Sequence, residues 1–351
     1  MGKKENTLVN KGKPQRQPGL DIIRVLALLF VISFHSFLYN GYYYTPQIGA
    51  QMWLAGSFRW MSVSCIGLFL MLSGYLKCEN TDVKSGYKAA LSALISYALA
   101  VAISIPIRHH GFEQVYSKPD WMTKIFNYTA VSYGWYVEMF IGLCLIIPFI
   151  NIAIKNMSNK QLYWFAAATL ILTALPGATK WQIAADYWRI TYPVTYYVLG
   201  AIVRRVQPKV NPLLGIFEAL VMAALLGFVT VNSTDDYLSS AKTWEFADIW
   251  IAFIVFWLFV SLYRLNVPKV VAKVLAVASY GCYGGYLLSY LFDAWCYKKV
   301  PHLLYPDGYF KLFLCVTVPI WIASIICGIG LQKVTDLIMW PINKMTKKKS
   351  N

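Results

Sequence analysis

Apolar residues dominate the chain in long runs, and polar residues collect in short segments between them. Ten runs approach or reach bilayer-spanning length: 20–38, 59–76, 89–107, 133–154, 161–176, 190–203, 213–231, 246–263, 274–292 and 309–331. None alternates with the period of two that a half-buried strand requires. The pattern predicts an all-α integral membrane protein of about ten transmembrane helices. The runs at 161–176 and 190–203 are short and carry Pro176 and Pro193, which leaves counts of nine and eleven open. A basic segment, 1–19, precedes a single membrane domain over 20–331, and a basic tail, 332–351, follows it. No internal repeat, long linker or appended soluble domain is legible.

Charge gives these runs a direction. If the N-terminus is cytoplasmic, the inside segments hold 21 Lys and Arg against 8 in the outside segments. That asymmetry predicts both termini inside. The formal net charge of +16 is then a topology signal. Neither an aromatic-interleaved basic patch nor a nucleic-acid motif accompanies it, so nucleic acid is not an expected partner. Composition agrees: 58% of residues are hydrophobic and 14% charged, well under the quarter or so typical of soluble domains. The seven cysteines form no CxxC pair and most lie inside apolar runs, so packing is expected of them, not disulfides or metal. The first run lacks a small-residue cleavage site and is expected to be retained as a span.

Two ionisable residues interrupt that first run, Arg24 and His35. Such residues are costly in hydrocarbon and mark function by default. Eleven residues make about three helical turns, so both project from one face, about 16 Å apart along the axis. Arg24 lies near the cytoplasmic surface and His35 deeper. A neutral imidazole there suits proton abstraction from a hydroxyl, or acceptance of a group onto its own nitrogen. Packing is the alternative for His35, and a snorkelling pair with Asp21 is the alternative for Arg24.

The order of motifs resembles the acyltransferase-3 family of bacterial membrane O-acyltransferases over nearly the whole length. Asp21-x-x-Arg24, ten residues, then His35-Ser36 is similar to the family's opening helix, whose hallmark is Arg or Lys followed by His. Ser64 through Phe69 to Ser73-Gly74-Tyr75-Leu76 resembles its "FFxxSGYL" segment. Trp135-Tyr136 through Pro148-Phe149-Ile150 resembles "WYL…IPFI", and Tyr197 to Gly200 resembles "FxLG". Three positions depart from the pattern. Ser289 stands where the family's "GIYLIH" has histidine. Lys84 and Lys88 replace an Arg-rich cluster, which loses bidentate phosphate recognition. Glu138 replaces an aromatic.

The resemblance implies transfer of an acyl group, acetyl above all, from cytoplasmic acyl-CoA to a hydroxyl of a cell-surface polysaccharide or lipid-linked glycan precursor. It implies the bacterial cytoplasmic membrane as location and membrane lipid as surroundings, and requires no metal. Catalytic roles are expected of His35, Arg24 and Glu138. Donor contacts are expected of Arg24, Lys84, Lys88, Arg204 and Arg205. Trp135, Tyr136 and Arg59 are expected on the acceptor side, with Asp21, Ser73, Gly74 and Tyr75 as structural motif positions. An arginine such as Arg59 or Arg189 is also a natural ion-pair partner for Glu138. Softer candidates are His109, His110 and His302, as a weak metal possibility, and Tyr116, Trp121 and Tyr133 for stacking on a sugar. Oligomeric state is not legible. Two other readings compete: a transporter or flippase of glycan precursors, which no inverted repeat or pair of broken helices supports, and an acyltransferase-like sensor without catalysis.

Overall fold

The computed structural model describes residues 16–111, 118–178, 184–232, 245–299 and 308–348. Every regular element among them is helical. In chain order the main helices are α1 (Pro18–Tyr39), α2 (Ala50–Lys77), α3 (Val83–Gly111), α4 (Lys118–Phe126), α5 (Trp135–Asn156) and α6 (Asn159–Thr173). They continue with α7 (Tyr192–Val206), α8 (Pro212–Asn232), α9 (Ile249–Leu262), α10 (Lys269–Lys299) and α11 (Val318–Lys348). Hydrocarbon offers the backbone no water, so each spanning segment must close its own hydrogen bonds, and helices do so.

All ten apolar runs form helices. Among the described residues, seven helices are long and apolar enough to cross a membrane. The other three, α6, α7 and α9, hold 15, 15 and 14 residues. At 1.5 Å per residue they reach about 21–23 Å, short of a hydrocarbon core of about 30 Å. Two of them have 3-10 turns in front, Asp186–Thr191 before α7 and Glu245–Ala247 before α9. The ninth run also ends later than its hydropathy suggests. Asp293, expected to open an outside loop, lies within α10, which continues to Lys299.

α2 is the hub. It packs against α1, α7, α8 and α9, while α1 also packs on α10. The most apolar stretches of α2 and α1 are 78% and 61% buried, against 33% for α8, so the first two helices form the interior. Close approach rests on missing side chains. A Cβ at Gly200 of α7 would fall 2.0 Å from the Met71 carbonyl oxygen of α2, and one at Gly74 would fall 2.0 Å from that of Tyr197. Small residues let backbones meet where lipid gives no hydrophobic incentive to associate. The sequence motif Ser73-Gly74-Tyr75 is thus largely a packing device.

Polar side chains fasten the hub. Asn151 of α5 donates to the carbonyls of Lys77 (2.8 Å) and Asn80 (2.6 Å) and accepts from the Tyr197 hydroxyl (2.8 Å). One amide of α5 therefore ties the end of α2 to the body of α7. Trp60 donates to the Thr230 hydroxyl (2.8 Å), joining α2 to α8. All seven cysteines are free.

Substituting Gly200→Leu is expected to destabilise the fold by about 1–3 kcal/mol through overpacking. Gly330→Leu, with nothing within 4 Å of the new Cβ, should be neutral. Thermal unfolding in detergent checks the pair, and equal melting temperatures would contradict this account of α2 and α7.

Candidate functional site

Arg24 and His35 open onto two different cavities that meet at one tyrosine. Arg24 lines a cavity of about 210 Å³ with Phe69, Ser73, Lys77, Tyr136, Tyr283 and Tyr286 among its walls. His35 lines a chamber of about 350 Å³ with Phe34, Tyr39, Cys65, Tyr133, Trp135 and Tyr286. Tyr286 belongs to both. Its hydroxyl donates to the Tyr133 carbonyl (2.7 Å), and its ring meets that of Tyr136 edge-on at 5.2 Å. Tyr136 lines the Arg24 cavity alone, so Tyr286, with Tyr136 against it, marks the neck where the two cavities meet. A third cavity, about 650 Å³, shares Trp135 and Phe246 with the chamber and is bounded by Glu138, Met139, Thr191 and Tyr192.

His35 is held in one tautomer. Its Nδ1 lies 2.8 Å from the Val31 carbonyl. A carbonyl only accepts, so Nδ1 carries the proton and Nε2 keeps its lone pair. Nε2 has no hydrogen bond among the described residues. The ring lies nearly parallel to that of Tyr133, with centroids 3.8 Å apart at 22°. The result is an oriented, neutral imidazole facing a chamber, which is what a base or an acyl-accepting nitrogen needs.

Arg24 is held from the neighbouring helix. It donates to the Ser279 hydroxyl of α10 at 2.5 Å. The expected pair with Asp21 is loose, at 3.7 Å, because Arg16 takes both Asp21 oxygens at 2.7 and 2.8 Å. Asp21 therefore neutralises Arg16 first and leaves most of the Arg24 charge to the cavity. Lys77 lies in the same wall, with Nζ 5.3 Å above the Phe140 ring. The sequence marks Lys77 only as a loop charge. Its place at the last turn of α2, one turn after Ser73, was the available signal.

The other expected residues separate. Tyr136 faces the Arg24 cavity, whereas Trp135 lines the chamber and the third cavity. Consecutive helical residues diverge by about 100°, so both cannot serve one side. Glu138 is exposed to the third cavity and does not line the chamber of His35. Ser73 lines the Arg24 cavity but gives its hydroxyl to the Phe69 carbonyl (3.0 Å). Tyr75 accepts from Gln207 (3.1 Å) and lies beneath the Arg204 guanidinium.

None of Lys84, Lys88, Arg204 and Arg205 lines the Arg24 cavity. Lys84 is exposed on the first turn of α3. Arg204 pairs with Glu79 at 3.0 Å, and Arg205 donates to the terminal carbonyls of α5, Ile154 (2.6 Å) and Met157 (2.9 Å). Arg59, expected near the acceptor, is 1% exposed, donates to the Tyr43 hydroxyl (2.8 Å) and forms an ion pair with Glu245. Burial raises the Glu245 carboxyl above its ordinary range, and the Arg59 charge opposes that shift. With Arg59 committed there, Glu138 is not its partner. Arg59 also lies against the Phe34 ring, 5.7 Å away, and so buttresses one wall of the chamber.

Asp293 and Tyr286 of α10 are the residues that sequence reasoning missed. They lie seven apart, two turns on one face, with Ser289 between them. Ser289 turns its hydroxyl back to the Tyr286 carbonyl (2.9 Å). Asp293 accepts from the Tyr133 hydroxyl (2.7 Å). Tyr116 and His302, and the side chains of His109, His110 and Trp121, lie outside the described residues. Among the described residues, no group of three or more His, Cys, Asp and Glu side chains converges as a metal site.

Three cavities, with the half-buried His35 on the middle one and Arg24 and Lys77 on the first, are an arrangement that suits group transfer. A family model described as an acyltransferase domain, of the acyltransferase-3 type, matches residues 17–331, and the chain belongs to that family. No significant match exists among curated proteins or among solved structures.

Removing Glu245 tests the structural role of Arg59. Glu245→Leu leaves a buried guanidinium unpaired and is expected to cost about 3–5 kcal/mol in detergent unfolding. The double variant with Arg59→Met is expected to recover most of that loss. Failure to recover would mean that Arg59 does something beyond neutralising Glu245.

Proposed function

We propose that the chain moves an acyl group, acetyl by preference, from cytoplasmic acyl-CoA to a hydroxyl of a cell-surface polysaccharide or its lipid-linked precursor. In this reading the chain is a multi-pass protein of a bacterial cytoplasmic membrane, with ten spans and both termini inside. The single observation that carries it is the sequence of spaces from Arg24, through the Tyr136–Tyr286 neck, to a histidine with a free Nε2.

Arg24 and Lys77 supply two positive charges for the phosphates of the donor, in place of the surface cluster of Lys84, Lys88, Arg204 and Arg205. The pantetheine arm is long and thin enough for an aromatic neck. A chamber of about 350 Å³ lies at the low end of ligand-pocket sizes and must also admit the acceptor, which favours a short acyl group. The acceptor approaches past Trp135, from the space that Glu138 borders.

Nε2 of His35 takes the proton of the acceptor hydroxyl as its oxygen attacks the thioester carbonyl. The tetrahedral intermediate collapses, the C–S bond breaks, and the thiolate recovers the proton from the imidazolium. Nε2 can serve instead as temporary acyl carrier. The two routes differ in one observable, since only the carrier route releases CoA before acceptor binds.

His35→Ala is expected to abolish acylation while leaving the protein in the membrane at normal level. Mass spectrometry of surface glycans from cells with and without the chain reads this as loss of an acetyl- or succinyl-sized increment. Arg24→Ala and Lys77→Ala should each raise the KM for acetyl-CoA about tenfold, the worth of one charge-assisted hydrogen bond. Full acylation by His35→Ala would end this reading.

A further inference from the structure

The loop before α5 carries the ring that orients His35, and it has little regular structure of its own. Residues 127–134 form turns, with Tyr128 at a φ of 55°, a left-handed conformation uncommon for a side chain of this size. Such a loop at the mouth of a chamber needs fastening. It receives this from two sides. From α3, Arg108 donates to the Ala130 carbonyl (2.8 Å) and Tyr97 to that of Ile125 (3.1 Å). From α10, Tyr286 donates to the backbone of Tyr133, and Asp293 accepts its hydroxyl.

Asp293 is costly where it stands. It is fully buried, and its second oxygen, Oδ1, has no hydrogen-bond partner among the described residues. A half-satisfied buried carboxylate makes a poor stabilising element, since an apolar residue of similar size often serves a fold equally well. Its one described hydrogen bond is to Tyr133, whose ring covers the His35 imidazole. The chain also lacks a histidine at Ser289, one turn before Asp293 on the same face of α10.

We propose that Asp293 and Tyr133 act as one positioning unit for His35, with Asp293 fixing the Tyr133 hydroxyl and Tyr133 fixing the plane of the imidazole. Tyr133 lies on the face of the imidazole with no hydrogen bond to Nε2, and Asp293 acts through Tyr133. The unit restricts rotation of the ring about χ2, so that Nδ1 stays on Val31 and Nε2 faces the chamber. The α10 helix thus reaches His35 through a tyrosine on the opposite side of the site. This inference rests on the acyl-transfer reading and adds two residues to it.

The test uses membranes containing the full chain from cells that make the glycan, with acetyl-CoA as donor. Rates of CoA release are compared for Tyr133→Leu, Tyr133→Phe, Asp293→Leu, Asp293→Asn and His35→Ala. Misplacing a reacting group by a fraction of an ångström costs tenfold or more. Tyr133→Leu and Asp293→Leu are therefore expected to lose about tenfold or more in kcat with the KM for acetyl-CoA within about twofold of the parent. Asp293→Asn keeps an acceptor for the hydroxyl and should retain several-fold more activity than Asp293→Leu. Tyr133→Phe combined with Asp293→Asn should lose no more than the worse single variant, as expected of residues acting as a unit. If Asp293→Leu does not accumulate, this milder cycle carries the test alone, and additive losses overturn the proposal. Wild-type kcat in Tyr133→Leu with an inactive His35→Ala overturns the positioning unit and leaves acyl transfer standing. An active His35→Ala overturns acyl transfer by His35 itself.

Discussion

A polar group inside a bilayer must find its partner within the protein, and that constraint organises this molecule. Some buried polar side chains turn back on their own helix, as Ser289 does, but four at the centre are partnered across elements. Asn151 joins three helices, Arg59 pairs with Glu245, Ser279 receives Arg24, and Asp293 receives Tyr133. The same bonds that settle these costs fix the walls of the three cavities. Two of the three cavities accordingly lie against α1 and α2, the innermost helices.

The hub helix shows how sequence becomes site. Glycines at 74 and 200 bring α2 and α7 into backbone contact, and this sets where the last turn of α2 ends. Ser73 and Lys77, one turn apart on that helix, then share a wall with Arg24 of α1. The Ser73-Gly74-Tyr75 motif, expected as structural, does most of its work by packing. The charge beside it, which reads as a loop residue, faces the cavity.

The apolar runs, Arg24 and His35 were legible because periodicity and the cost of charge in hydrocarbon act on the sequence directly. Run length was less legible, since an apolar run can fold as a 3-10 turn followed by a short helix, as at α7 and α9. Side assignments failed where neighbours in sequence face apart: Trp135 and Tyr136 line different spaces, and Arg204 and Arg205 are absorbed by Glu79 and by the end of α5. Asp293 was hidden for a different reason. Hydropathy ends a span at the first charge, whereas the helix continues through it to Lys299.

The neck between the two cavities has an electrical consequence. A membrane that holds a potential exerts about 2.3 kcal/mol per 100 mV on any charge that crosses it, and this protein carries hollows on both sides of its own centre. Tyr286 and Tyr136 are what separates them. Because the Tyr286 hydroxyl is spent on the Tyr133 carbonyl, it offers no free relay for protons between one hollow and the other. If the proposed donor arm passes between these rings, the same aromatic pair would also have to serve as the insulator between the two hollows.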